Sequence, residues 1–124
     1  MSIETGAKNR LLIVDDEPTN IHILSNILSE DYEIRAANNG ERAIEAAKSQ
    51  SPDLILLDMI MPGLEAGDTY DKLKAVNPAI KVLLSSGYGL DQKASAIIDR
   101  GCNGFIQKPF NMKILEDKIG GILK

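Results

Sequence analysis

The residues able to do chemistry in this chain stand at the ends of short apolar runs. Leu11-Leu12-Ile13-Val14 ends in Asp15-Asp16-Glu17, and Leu54-Ile55-Leu56-Leu57 ends in Asp58. Ile80 to Leu84 ends in Ser85-Ser86, and Gly104-Phe105-Ile106-Gln107 ends in Lys108. If those ends share one rim, three carboxylates, a hydroxyl and an ammonium meet in a small space. Clustered carboxylates repel, and they stay ionised together only beside a compensating cation. Lys108 supplies a single charge, which is not enough. No His or Cys belongs to the group, so its ligands are oxygens and a hard cation is indicated. Mg²⁺ suits best, because it binds through one or two carboxylates and keeps waters for a phosphate-bearing substrate. Each residue also has a plain structural reading: helix caps for the Asp pair, a turn for Ser86, a surface charge for Lys108. Asp58 alone stands evenly between a ligand and a turn aspartate. Their coincidence at successive run ends is what points to function.

The runs must be strands for this to hold. A short apolar run closed by turn residues, as Pro62-Gly63 closes the run through Asp58, reads as a strand buried on both faces. In open α/β sheets, ligands bind beyond the carboxyl ends of such strands. Between the runs lie helical patterns. Pro18 suits a first helical turn, and Ile21, Leu24 and Leu28 recur at helical spacing, with Ile23 and Ile27 widening the stripe to an end near Glu30. Tyr32 to Ala37 is a less apolar strand nearer an edge, and Asn38-Asn39-Gly40 is a turn. Glu41 to Gln50 is rich in helix formers and Ser51-Pro52 stops it. Leu64, Tyr70, Leu73 and Val76 predict a third helix, closed by Asn77-Pro78. Leu90, Ala94, Ile97 and Ile98 mark a fourth helix, with Gly101 as its C-cap. Met112, Leu115, Ile119 and Ile122 form the stripe of the last. Five strands alternating with five helices predict a parallel sheet covered on both faces, because parallel strands need crossover connections.

The 124 residues suit one domain, with 1–9 a loose leader and 10–124 the folded unit. A net charge of −4 argues against direct binding to nucleic acid or anionic membrane, and the few aromatics argue against base stacking. The polar first residues lack a signal-peptide core, and no apolar run reaches the ~20 residues of a membrane span, which predicts a cytoplasmic protein. The single Cys102 reads as a buried small residue in a reducing compartment, and His22 as a surface or packing residue.

Taken together, Leu12-Ile13-Val14-Asp15-Asp16-Glu17, Leu56-Leu57-Asp58-Met59-Ile60-Met61-Pro62-Gly63, Leu83-Leu84-Ser85-Ser86-Gly87 and Phe105-Ile106-Gln107-Lys108-Pro109-Phe110 resemble the receiver domain of two-component response regulators. The segments span nearly the whole chain in the order and spacing of that family. The resemblance implies a flavodoxin-like sheet of strand order 2-1-3-4-5. It implies that Asp58 accepts a phosphoryl group from a phosphohistidine on a sensor histidine kinase or phosphotransfer protein. Asp16, Asp58 and the Ile60 carbonyl would bind Mg²⁺ directly, and Asp15 mainly through water. Ser86 would be the switch hydroxyl, Lys108 the ammonium that pairs with the phosphoryl group, and Phe105 the aromatic that changes rotamer. The Lys108–Pro109 bond would be cis. The fourth helix, fifth strand and fifth helix would form the output face toward a downstream protein. Such a domain catalyses its own modification and is not a metabolic enzyme.

Ile60 and Tyr88 stand where the family flanks the path of attacking water, and their bulk predicts slow loss of the phosphoryl group. Glu65-Ala66 replaces a frequent Asp-Gly, which bears on that loop and not on the site. Around Leu83 to Tyr88 and Gly101 to Phe110 the chain is similar to receivers attached to hybrid sensor kinases, so either a stand-alone protein or part of a larger one fits. Other classes fit less well. An aspartyl-phosphate hydrolase needs a second carboxylate where Ile60 stands, and a flavin site needs a hydroxyl-rich first loop where this one is acidic. A phosphorylation-independent pseudo-receiver is disfavoured by the intact set Asp15, Asp16, Asp58, Ser86 and Lys108.

Overall fold

A computed structural model of the chain describes residues 8–59, 63, 65–87 and 91–123. Strands β1 (Asn9–Val14), β2 (Tyr32–Ala37), β3 (Leu54–Asp58), β4 (Lys81–Ser86) and β5 (Gly104–Gln107) alternate with helices α1 (Pro18–Leu28), α2 (Gly40–Ser49), α3 (Ala66–Val76), α4 (Gln92–Asp99) and α5 (Met112–Leu123). All four strand pairings are parallel, in the order β2-β1-β3-β4-β5. The less apolar β2 is an edge strand, and every residue of β3 is buried.

Strand alternation divides the core in two. Leu12, Val14, Ile55, Leu57, Val82 and Leu84 pack with Ala43 and Ala47 of α2, Tyr70 and Leu73 of α3 and Ile97 of α4. Leu11, Ile13, Leu54, Leu56, Leu83 and Ile106 pack with Leu24 and Leu28 of α1 and Leu115 and Ile119 of α5. The helices therefore cover both faces, as parallel strands buried on each side require.

Several boundaries move by a residue or two. β1 begins at Asn9, which pairs with Tyr32, so the folded unit starts one residue before the expected boundary; the rest of the expected leader, apart from Lys8, lies outside the described residues. α1 stops at Leu28, where the Ser29 amide donates to the Ser25 carbonyl. Ile23 and Ile27 do not widen its buried stripe: they are 48% and 39% exposed, one turn apart on the outer face. α2 starts at Gly40 because the Asn39 side chain caps it, accepting the Arg42 amide at 2.8 Å. β4 runs on through Ser85 and Ser86, both buried, where the apolar run alone ended at Leu84. Leu64 and Leu90 lie outside the described residues. Gly101 follows α4 with φ +106°, a left-handed conformation that favours glycine just past a helix.

Cys102 is buried, and its thiol donates to the Val82 carbonyl at 3.2 Å. Burial raises its pKa above the usual 9.0, against the smaller opposing effect of backbone hydrogen bonds. The stability this confers is present below the unfolded value and is lost as pH rises through the higher folded one. A thiol reagent is therefore expected to leave the native chain unmodified at neutral pH and to label it at once in denaturant. Urea stability is expected to fall above pH 9.0, less steeply in Cys102→Ala. Prompt labelling of the native chain would refute this.

Candidate functional site

The alternation that sorts the core also aims the site. Extending Leu11 and Ile13 by one step reaches Asp15, extending Leu54 and Leu56 reaches Asp58, and extending Ile106 reaches Lys108. All three leave the carboxyl rim on the face that α1 and α5 cover. Their meeting is thus a consequence of parallel strands in register. Asp58 lies opposite Ser85, and Ser86 lies opposite Gln107.

Lys108 Nζ lies 3.2 Å from Asp15 Oδ2 and 3.5 Å from Asp58 Oδ2, so one ammonium bridges two carboxylates. Asp15 and Asp58 are buried, while Asp16 is exposed. One oxygen from each of Asp15, Asp16 and Asp58 lies within 4.8 Å of the others. Asp15 Oδ1 accepts the Glu17 amide at 2.9 Å, and its own amide donates to the Ala37 carbonyl. Lys108 offsets one charge of three, leaving the cluster acidic. An all-oxygen donor set with surplus negative charge fits a hard divalent cation.

The loops that carry these groups are tied to strand ends. The Met59 amide donates to the Ser85 carbonyl at 2.8 Å, and the Lys108 amide donates to the Ser86 carbonyl at 2.7 Å. The Lys108–Pro109 bond is cis, as the resemblance implied. Ser86 is buried at the end of β4, and Phe105 is half-buried against the core beneath α2, α3 and α4. Gly63 has φ +90°, which favours glycine in the loop after β3. Ile60 and Tyr88, expected at the metal and on the water path, lie outside the described residues. His22 is exposed on α1 with Nε2 3.2 Å from the Asn26 amide nitrogen, the surface role expected of it.

One neighbour was not anticipated. Asn20, in the first turn of α1, extends its Nδ2 to 3.4 Å from Asp15 Oδ2. It stands on the wall of a groove of about 610 Å³ that Asp15, Lys108, Ile23, Phe110 and Met112 also line. Only its place five residues after Asp15 could have hinted at this, and that spacing is too common to be a signal.

A family model described as the response regulator receiver domain matches residues 11–120. The chemotaxis protein CheY of Halobacterium salinarum is 30% identical over 115 residues, covering 92% of this chain and 96% of the relative. The nitrogen assimilation regulatory protein NtrX of Azorhizobium caulinodans is 36% identical over 104 residues, covering 82% of this chain and 23% of the relative. The chain thus spans nearly all of the first relative and about a quarter of the second. Among solved structures, a CheY-like response regulator receiver domain protein from Methanospirillum hungatei superposes with TM-score 0.89 at 27% identity, covering 94% of each chain.

Proposed function

The chain belongs to the response regulator receiver domain family, and on that premise we propose that Asp58 accepts a phosphoryl group from a phosphohistidine on a sensor histidine kinase or phosphotransfer protein. As a receiver of two-component systems it serves phosphorylation-activated signalling and is not a metabolic enzyme. The observation that carries the assignment of Asp58 is the Lys108 ammonium shared between Asp15 and Asp58 inside the acidic cluster.

In the proposed step an Asp58 carboxylate oxygen bonds to phosphorus while the bond from phosphorus to the imidazole nitrogen breaks. The electron pair returns to the ring, leaving an acyl phosphate. Lys108 turns from its carboxylates toward a phosphoryl oxygen. Asp16, Asp58 and the Ile60 carbonyl would hold Mg²⁺ directly, with Asp15 acting mainly through water. When bound, Mg²⁺ offsets charge on the transferring group. Ser86 then donates its hydroxyl to a phosphoryl oxygen and draws in the loop after β4, and Phe105 turns inward. This biases the face formed by α4, β5 and α5 toward a downstream protein. The net charge of −4 argues against nucleic acid or anionic membrane as a direct partner of this domain, and no helix among the described residues is long and apolar enough to cross a membrane. The single buried thiol suits the cytoplasm.

The test is mass spectrometry after incubation with acetyl phosphate and Mg²⁺. One added phosphoryl group, labile in alkali, is the expected result. Multiple turnover of a metabolite phosphate with no adduct would refute it. The resemblance gives Ile60 and Tyr88 the positions that flank the water path, and their bulk makes slow decay of the adduct the expected result. A chain carrying Ile60→Asn and Tyr88→Glu should lose it about 10²-fold faster, the lower end of what a positioned proton-transfer group contributes. Equal decay in both chains would sink the assignment.

A further inference from the structure

We infer that Asn20 is a positioning residue that holds the Asp15 carboxylate in place once Lys108 leaves it. The inference rests on the phosphoryl-accepting role proposed above. Asp15 is 3% exposed, so each of its oxygens needs a donor. The Glu17 amide serves Oδ1. Oδ2 has two donors, Lys108 Nζ at 3.2 Å and Asn20 Nδ2 at 3.4 Å. The ammonium is the nearer and the charged one, and it is also shared with Asp58 at 3.5 Å.

Phosphoryl transfer draws on that ammonium. When Lys108 pairs with the phosphoryl group, Asp15 Oδ2 loses its charged donor inside a buried site. A carboxylate left so would swing toward water and away from the cation it helps to hold. Asn20 prevents this by geometry. It is the third residue of a helix that Pro18 starts, and helical side chains tilt toward the helix N-terminus, which brings its amide back over Asp15. The Asp15 carboxylate only accepts, so the Asn20 NH₂ must face it. At 3.4 Å the contact is longer than an optimal N–H···O bond, and the role requires it to shorten when Lys108 departs.

The signature is coupling between Asn20 and Lys108, read as Mg²⁺ affinity by calorimetry on the unphosphorylated chain. In the Lys108→Ala background, Asn20→Ala should weaken Mg²⁺ binding about tenfold, the worth of one hydrogen bond to a charged group. With Lys108 present the same change should cost about twofold at most, because the ammonium still serves Oδ2. Asn20→Leu keeps the volume in the groove and removes the donors. It should match Asn20→Ala, and it replaces that variant if the smaller side chain compromises folding. Equal losses in both backgrounds, or none in either, would overturn the role of Asn20 while leaving the metal site intact. No Mg²⁺ binding by the unsubstituted chain would overturn the site reading itself, and this role with it.

Discussion

Asp58→Asn is expected to abolish phosphoryl acceptance and, at the same time, to make the Mg²⁺-free protein more stable. The first effect follows from chemistry, since a carboxamide has no anionic oxygen to form an acyl phosphate. The second follows from electrostatics. Asp58 is buried within 4.8 Å of two other carboxylates, and a single ammonium lies between it and Asp15. Removing its charge relieves repulsion against both neighbours and leaves Lys108 its shorter pairing, with Asp15. A gain of about 1–2 kcal/mol is expected, in the range recovered when an active site is relieved of functional strain. Urea denaturation of both chains in chelator measures the stability, and mass spectrometry after acetyl phosphate measures the acceptance. An adduct surviving in Asp58→Asn would show that another residue accepts the group. A loss of stability would mean that the contact with Lys108 outweighs the repulsion.

Lys108→Ala should act in the opposite direction on stability and the same direction on activity. Without the ammonium, two buried carboxylates lose the cation they share. Because Lys108 is partly exposed, water softens the loss, and a destabilisation of about 2–3 kcal/mol is expected in the absence of metal. Millimolar Mg²⁺ should restore more stability to this variant than to the unsubstituted chain, since the ion then replaces the missing charge and binds only the folded state. The rate of phosphoryl acceptance should fall about 10²-fold, as for removal of one preorganised donor from a site of charge development. Thermal unfolding with and without Mg²⁺ checks the first pair of effects, and time-resolved phosphorylation checks the last. A variant as stable as the parent in chelator would contradict the reading of Lys108 as the internal counter-charge.

The fold was legible because its strongest signals are local. Leu54 to Leu57 is wholly apolar, and β3 is wholly buried. The site was legible for the same reason: each of its polar residues breaks an apolar run. What was misread depends on tertiary surroundings. Ile23 and Ile27 look like stripe residues, yet the face of α1 that meets the sheet is fully used by Leu24 and Leu28, with Ile21 beside them. Ser85 and Ser86 do end β4 as expected, but the strand runs from Lys81 instead of Ile80 and its ladder includes both serines, because Asp58 and Gln107 pair opposite. Asn20 gave no signal, since its importance comes from the sharing of one Asp15 oxygen between two donors, which no spacing encodes.

The hydrogen bond from the Lys108 amide to the Ser86 carbonyl has a thermodynamic corollary. It joins the segment bearing the proposed switch hydroxyl to the segment bearing the proposed phosphoryl partner, so the two positions form one variable. Free-energy coupling between two ligands of one variable is reciprocal. Under the proposed function, a downstream protein that favours the inward position of these segments would shift the equilibrium of Asp58 phosphorylation by the same factor by which phosphorylation strengthens its own binding. On this account the recipient of the signal also acts as its custodian.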